Sequence, residues 1–236
     1  MYWYVFSLSF VLMSSVWYIE NVDMFEMLCP HKFAEYSAHH VFKTYSKEDI
    51  IYWEDDSAEK VYLIAAGKVK IASVNERGEE RIKAILGKGE LFGEMVLFGD
   101  ETRRECAVAL ENATILCPMS AETLNVLMRD YKEFALGIRK LIGWKLHKIE
   151  RRMEILLFKD AETRLKEFIR DLARENGQVR AGRFVVRHIY TQQNIADLIG
   201  ITRPTLNLLF NDFRSAGVLD FKRGEIIIKN RQMFAV

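Results

Sequence analysis

The sequence contains little cysteine, proline or glycine. Its 236 residues include three Cys, three Pro and 13 Gly, which excludes collagen-like and low-complexity chains. Cys29, Cys106 and Cys117 form no CxxC pair, so a disulfide framework is not expected and a four-cysteine zinc or iron–sulfur site cannot be built. A reducing, cytoplasmic location is the simpler expectation. Because 50% of the residues are hydrophobic and 28% are charged, the chain can form packed cores and is not wholly disordered.

Neither positive nor negative charge predominates in the whole chain, but the two signs are unevenly distributed along it. The formal net charge is only +1. From Lys159 onward there are 14 Lys and Arg against 9 Asp and Glu, whereas the preceding part has 20 against 24. A basic C-terminal third behind an acidic front part suggests that the C-terminal third meets a polyanion.

No charged side chain occurs in residues 1–19, a stretch that at about 1.5 Å per residue could cross a bilayer. Four serines interrupt it, however, and neither a flanking Lys or Arg nor a small-residue cleavage site is present. We expect an apolar leader, either a helix packed on the body or residues upstream of a true start at Met13. A weak membrane association and a membrane span stay open as alternatives.

Short runs of strand character dominate the part of the chain that follows a helical stretch at residues 20–40. Glycines separate these runs, and Asn75–Gly78 predicts a hairpin turn. Many short strands at close spacing predict an antiparallel β-roll, which we assign to residues 20–129. The predicted strands are Val41–Tyr45, Ile50–Trp53, Val61–Ala65, Val69–Val74, Arg81–Leu86, Cys106–Leu110 and Thr114–Cys117.

Helical character takes over after Ser120, a candidate N-cap. No proline occurs in residues 130–158, where apolar residues recur at intervals of 4, 3, 4 and 3, as in a coiled-coil seam. Charged residues flank this stripe closely, so we predict a dimerisation helix; a helix laid against its own roll is the alternative. A further helix is predicted from Ala161 to about Glu175. The stripe consists of Ile142, Leu146, Ile149, Met153 and Leu156.

The stretch from Thr191 to Ala216 fits a helix-turn-helix. Thr191 can cap a helix at Gln192–Ile199, and small Ala196 allows two helices to cross closely. Gly200, four residues later, permits the left-handed turn. Thr202 can cap the second helix, whose first turn tolerates a proline. An ordinary helical hairpin with a solvated polar face is the alternative.

The second helix exposes polar side chains suited to reading bases. Arg203 can grip guanine O6 and N7, and Asn207 or Asn211 can pair with adenine. Behind the helix, Val218–Phe221 and Glu225–Ile228 predict a β-hairpin with two cations at its tip, so residues 159–236 read as a winged helix-turn-helix. The candidate DNA-binding residues are Thr191, Gln192, Thr202, Arg203, Thr205, Asn207, Lys222 and Arg223.

In this order of elements, and in four specific runs, the chain resembles the Crp/Fnr family of bacterial transcription regulators. Val61–Ile71 looks like the family's strand–Gly–strand element, Leu91–Phe98 its phosphate-binding cassette, Phe158–Ala161 its hinge, and Thr191–Phe210 its DNA-reading unit. The resemblance implies an α+β fold and a homodimer that binds a small effector in the roll. It also implies double-stranded DNA and RNA polymerase as partners.

The resemblance also implies effector-binding residues. Gly93 and Glu94 match the cassette, and Arg104 stands at the distance of the arginine that holds the phosphate in cyclic-AMP binders. The next residue is Glu105 instead of Ser or Thr, and its charge would repel a phosphate. A one-residue slip would make Arg103 the ligand. Since Ile149–Glu150 replaces the Thr–Ser pair that meets adenine, we expect an effector other than cyclic AMP.

Other effectors are no better supported. The iron–sulfur cluster of the Fnr branch needs several N-terminal cysteines, and only Cys29 lies there. Haem would need His39, His40 or His147. A thiol switch at Cys29 or Cys106 and constitutive activity, with Glu105 and Glu150 supplying internal charges, stay open.

In the recognition helix, Arg203 matches the family arginine that reads guanine. Pro204 and Leu208 replace the neighbouring glutamate and the second reading arginine. We therefore expect a palindromic operator with an altered half-site.

The expected function is thus a dimeric, effector-responsive transcription regulator. A membrane-tethered cyclic-nucleotide-binding module is the alternative, although such a module needs no helix-turn-helix. An enzyme is not expected, because the sequence has no P-loop, nucleophile elbow, HExxH motif or paired carboxylates with a pocket signature.

Overall fold

The protein is described here by a computed structural model covering residues 25–33 and 41–234. The leader predicted at residues 1–19 and most of the helix predicted at residues 20–40 lie outside these ranges. Within them, α1 (Phe25–Leu28) is a single turn, because Pro30 begins a separate 3₁₀ turn, Pro30–Lys32.

Eight strands form the predicted antiparallel β-roll. They make two four-stranded sheets with the orders β1-β8-β3-β6 and β2-β7-β4-β5, and every pairing is antiparallel. Only β6 was not predicted, because it is two residues long. The strands are β1 (Lys43–Tyr45), β2 (Ile50–Tyr52), β3 (Lys60–Ala66), β4 (Val69–Val74), β5 (Glu80–Leu86), β6 (Leu91–Phe92), β7 (Cys106–Ala109) and β8 (Thr114–Ser120).

Aromatic side chains fill the space between the two sheets. The rings of Tyr62 and Phe92 stack with centroids 5.1 Å apart, and Tyr52 lies about equally close to both, at 6.0 Å. All three are buried in one hydrophobic cluster with residues of β4 and β8. The roll therefore has a packed core of its own next to the predicted cassette.

Three helices follow the roll: α2 (Ala121–Asp130), α3 (Lys132–Phe158) and α4 (Ala161–Asn176). The Ser120 hydroxyl accepts a hydrogen bond from the Thr123 amide at 3.0 Å, which confirms the predicted N-cap. The dimerisation helix was predicted from residue 130, but Asp130 ends α2 and α3 begins two residues later. The first half of α3 packs on the roll, where Phe134, Ile138 and Leu141 are buried.

The C-terminal domain contains the predicted helix-turn-helix and wing. Its four-stranded antiparallel sheet has the order β11-β12-β10-β9. The β9–β10 hairpin was not predicted, because most of β9 is polar or exposed and lacks a buried alternation. The elements are β9 (Gly177–Arg180), β10 (Arg183–Arg187), α5 (Gln192–Ile199), α6 (Arg203–Ser215), β11 (Leu219–Lys222), β12 (Glu225–Ile228) and α7 (Arg231–Phe234).

Strand β5 joins the roll to the C-terminal domain. Ile82 and Ile85 of β5 are buried in the same hydrophobic cluster as α4, α5 and α6. Arg152 of α3 bridges the two parts, donating to the Lys83 carbonyl at 2.5 Å and to the Leu198 carbonyl at 3.2 Å. An ion pair between Arg81 and Asp197, at 3.1 Å, adds a further contact. Helix α5 is thus fixed against both the roll and α3.

Candidate nucleic-acid interface and effector cassette

Helix α5 is capped and turned as the sequence predicts. The Thr191 hydroxyl accepts from the Asn194 amide at 3.1 Å, while the Asn194 side-chain oxygen accepts from the Thr191 amide at 2.8 Å. This reciprocal pair satisfies two amides that the helix leaves free. Gly200 follows with φ +67°, and a β-carbon there would lie 2.7 Å from Leu156 Cδ2. The left-handed backbone angle favours glycine at the turn, and the Leu156 side chain packs closely against it.

Helix α6 has one buried and one exposed face. The Thr202 hydroxyl accepts from the Thr205 amide at 3.2 Å and caps the helix. Leu206, Phe210 and Phe213 are buried against the rest of the domain. On the opposite side, five residues reach solvent fully or in part: Arg203, Pro204, Asn207, Leu208 and Asn211. The surface that would read bases is therefore open and is not covered by the roll.

The β11–β12 hairpin is held beside α6 by ring contacts. The Phe221 ring stacks on Phe210 of α6 at 4.5 Å, and the Arg214 guanidinium lies 4.2 Å from the Phe221 ring. At the tip, Lys222 and Arg223 are exposed. The wing thus presents two cations next to the recognition helix, an arrangement suited to DNA phosphates.

An acid at the base of the wing is neutralised locally. Lys229 and Arg214 lie 2.7 Å and 3.3 Å from the Asp220 carboxylate. The Lys229 hydrogen bond and the two positive charges lower the pKa of Asp220. Asp220 therefore does not offset the two cations at the tip.

The eight candidate DNA-binding residues all reach solvent. Five are exposed and three are partly exposed, and they belong to the helix-turn-helix and the wing. The exposed ones are Thr191, Thr202, Arg203, Lys222 and Arg223; the partly exposed ones are Gln192, Thr205 and Asn207.

Within the cassette, Gly93 takes a left-handed conformation (φ +74°) between β6 and the 3₁₀ turn Glu94–Phe98. Arg103 lies directly against it. Its guanidinium donates to the Gly93 carbonyl at 3.1 Å and to the Lys60 carbonyl at 2.5 Å, and it lies 4.4 Å from the Tyr52 ring. A β-carbon at Gly93 would come within 2.7 Å of Arg103 Nη1, so glycine makes this approach possible.

The structure places the two cassette arginines differently. The Arg104 side chain is 76% exposed and pairs with Asp100 at 2.9 Å. Arg103 is 5% exposed and points inward, toward the side where the one-residue slip would place the ligand. Contact of either arginine with an effector stays a prediction. Glu105 is paired with Lys83 at 3.3 Å.

A lysine of the long helix occupies the other side of the cassette. Lys145 donates to the Glu94 carboxylate and to the Leu91 carbonyl, each at 2.6 Å. This contact could not be predicted from the sequence, where Lys145 is only one of the charged residues that flank the apolar stripe. It directly connects the predicted effector site with α3.

The predicted seam is exposed along α3. Its five residues, between 37% and 57% exposed, are not buried by the roll, which argues against the alternative of a helix laid on its own roll. Leu156 at its end also lies against Gly200. Leu157 and Phe158, at the same end, are exposed too. These side chains form an apolar strip on the outside of the chain.

The histidines considered for haem are not brought together in the part of the chain that is described. His147 is exposed and lies 3.3 Å from Glu150, while His39 and His40 lie outside the described residues. Among residues 25–33 and 41–234, no group of three or more His, Cys, Asp or Glu side chains is placed to hold a metal ion.

Comparisons with known proteins cover both halves of the chain. Residues 42–131 match the cyclic nucleotide-binding domain, and residues 163–235 match the Crp-like helix-turn-helix domain. The chain belongs to the Crp/Fnr family. It is 28% identical to the cyclic AMP receptor protein of Thermus thermophilus, over 79% of this chain and 83% of that protein. It is 25% identical to a "CRP-like cAMP-activated global transcriptional regulator" of Mycobacterium tuberculosis, over 78% and 82%.

Solved structures of the Crp/Fnr family share the fold. A CooA mutant of Carboxydothermus hydrogenoformans superposes with a TM-score of 0.73 at 23% identity, covering 94% of this chain and 98% of that one. FixK2 of Bradyrhizobium japonicum gives 0.68 at 24%, covering 83% and 96%. As a Crp/Fnr protein the chain is a transcriptional regulator and not an enzyme.

A membrane-tethered module has no support from these matches. None of the helices described in residues 25–33 and 41–234 is long and apolar enough to cross a membrane.

The Glu94–Lys145 pair should stabilise the fold measurably. Both side chains are only 21% exposed, so the pair is less screened than a surface pair. In a double-mutant cycle with Glu94→Gln and Lys145→Met, we expect a coupling free energy of about 0.5–2 kcal/mol. Denaturant unfolding at one fixed protein concentration measures it.

The matched control is the more exposed pair Glu162–Lys166, at 2.6 Å within α4, whose side chains are 49% and 30% exposed. Its cycle, with Glu162→Gln and Lys166→Met, should give about 0.5 kcal/mol or less. A coupling at Glu94–Lys145 no larger than that of the control would contradict the proposed connection between the cassette and α3.

Proposed function

We propose that the protein is a homodimeric transcription regulator that binds a palindromic operator and responds to an effector at its β-roll. The observation that carries the proposal is the open face of α6, on which Arg203 stands exposed, with the cationic wing held beside it by the Phe210–Phe221 stack. An α-helix of this kind fits the major groove, where an arginine near its N-terminus reaches guanine.

The apolar strip on α3 supports the dimer. Its 4, 3, 4, 3 spacing places the side chains on one side of a helix, where a second copy can cover them. If two copies pair along α3 around a twofold axis, the dimer has two copies of α6. Two recognition helices about 34 Å apart can enter the major groove at successive turns on one face of DNA. The operator should therefore contain two inverted half-sites.

The half-site should differ from the one that the family commonly binds. Pro204 and Leu208 occupy the exposed face of α6, and Leu208 is 62% exposed. Apolar side chains in the major groove contact the methyl group of thymine and offer no hydrogen bond. We therefore expect Arg203 to read guanine, and Leu208 to favour thymine where the family places a second arginine.

The roll is the proposed effector site, with Gly93, Glu94 and Arg103 as the contacting residues. Among the described residues, Arg103 Nε and the Tyr52 hydroxyl are buried without a hydrogen-bond partner. A ligand acceptor at this place would satisfy both. Because Glu94 Oε1 is already paired with Lys145, a ligand that binds this oxygen competes with the ion pair.

One feature of α3 favours an effector other than cyclic AMP. Neither Ile149 nor Glu150 can replace the hydroxyl pair that meets adenine in cyclic-AMP binders. Both lie on the exposed side of α3. The proposal includes a cytoplasmic location and a contact with RNA polymerase, both of which rest on the resemblance to the Crp/Fnr family.

Charges placed in the seam should separate the dimer. We expect the double variant Leu146→Glu, Ile149→Glu to be monomeric by sedimentation equilibrium and to lose tenfold or more in operator affinity, because about half of the contacts are lost with the second copy. The control is Val179→Glu, which changes another exposed apolar residue, on β9. It should stay dimeric. If the variant Leu146→Glu, Ile149→Glu is still dimeric, this assignment of the interface is wrong.

Removal of the Arg203 guanidinium should weaken specific binding selectively. On operators selected from random DNA by the unmodified protein, Arg203→Ala should cost about 1–3 kcal/mol and relax preference at one base position of each half-site. Titrations with operator and with scrambled DNA measure the difference.

The control for this experiment is Arg223→Ala at the wing tip. It should weaken binding about equally on all sequences and lower the salt slope of binding by about one. Selection of the consensus of ordinary cyclic-AMP receptors would contradict the altered half-site. An even loss of affinity with Arg203→Ala would contradict the role of Arg203.

A further inference from the structure

Two of the three cysteines meet in the core between the roll and its helices. Cys29 follows α1, and Cys117 lies on β8, where it is paired in register with Leu63 of β3. Their side chains are hydrogen-bonded to each other. Cys29 is 3% exposed and Cys117 is fully buried, in one hydrophobic cluster. All three cysteines, Cys106 included, are in the reduced form.

A histidine lies on the outer side of this thiol pair. His31 Nδ1 is 3.6 Å from Cys29 Sγ, and the imidazole stacks on Phe42 with centroids 4.6 Å apart. His31 itself is exposed. The two thiols are therefore buried, but Cys29 contacts a side chain, His31, that is itself exposed to solvent.

The surroundings divide the two thiols into different roles. The hydrogen bond from Cys117 and the neighbouring His31 lower the pKa of Cys29 to about 6, whereas the contact with Cys29 and burial raise the pKa of Cys117. Cys29 is therefore the more acidic of the two thiols. Since the thiolate is the nucleophile, we assign the attack to Cys29 and the resolving step to Cys117. Burial instead raises the pKa of Cys106.

We propose that Cys29 and Cys117 form a reversible disulfide when the protein meets hydrogen peroxide. The Cys29 thiolate attacks one peroxide oxygen, the O–O bond breaks, and the hydroxide that leaves takes up a proton to become water. Cys29 is now a sulfenic acid. Cys117 attacks its sulfur, the S–O bond breaks, and the Cys117 proton leaves with the hydroxyl as a second water. Two thiols are oxidised and one peroxide is reduced.

The bond would fix the segment before the roll to the roll itself. Helix α1 contacts both β3 and α3, and the hydrophobic cluster around the thiols also contains Leu91, the first residue of the cassette, and Leu141 of α3. A Cys29–Cys117 bond thus covalently attaches α1 at the place where the roll meets the long helix. This inference does not depend on DNA binding.

The test is a count of thiols in the full-length protein. After exposure to peroxide and denaturation, the number of thiols that react with a maleimide should fall from three to one. The intact mass should decrease by two hydrogen atoms, and peptide mapping should join the peptides of Cys29 and Cys117. Dithiothreitol should restore all three thiols.

Single variants separate the proposal from general oxidation. Cys106→Ser is the matched control, a buried cysteine on β7, and should still form the bond. Cys29→Ser and Cys117→Ser should not form it. His31→Phe should keep the pair but slow its oxidation by about fivefold or more at neutral pH, because a group that stabilises the thiolate is lost.

If the serine variants fail to fold, the mapping of the unmodified protein decides alone. Recovery of Cys29 and Cys117 as separate sulfinic or sulfonic acids, or a disulfide that includes Cys106, would overturn the proposal.

Discussion

The crossing of α5 and α6 at Gly200 is the contact on which the reading surface depends. Ala196 and Gly200 let the two helices approach, and the Ile201 amide closes the turn on the Ala196 carbonyl at 3.0 Å. Leu206 and Phe210 then enter the core, which turns Arg203 outward at the start of α6. Because helical positions are fixed relative to one another, burial of one face determines the other.

Helix α3 connects this crossing with the roll. At the middle of α3, Lys145 reaches the cassette through Glu94, and near the C-terminal end Leu156 lies against Gly200. These residues are about 16 Å apart along the helix axis. Most of the apolar strip lies along this part of α3. A ligand that displaces Lys145 would therefore act on the same rigid element that carries the dimer strip and supports the helix-turn-helix, provided that it binds the two arrangements differently.

Local rules made the C-terminal half predictable from the sequence, because its caps, its glycine turn and its small crossing residue all lie within a short stretch. The bounds of α5 agree with the sequence pattern. What escaped prediction depends on distant parts of the chain. Adjacent Arg103 and Arg104 are chemically alike, and only the path of the chain before β7 decides which faces inward. The Glu94–Lys145 and Cys29–Cys117 contacts join remote residues, and β6 and β9 have no buried periodicity of their own.

The most direct test asks whether the Arg203 guanidinium contacts guanine N7 in the major groove. Each guanine of a selected operator is replaced in turn by 7-deazaguanine, which lacks this acceptor, and binding is measured for the unmodified protein and for Arg203→Ala. The account predicts one guanine per half-site at which the replacement costs the unmodified protein about 1–2 kcal/mol and costs the variant nothing further. Equal losses in both proteins at every guanine would contradict it.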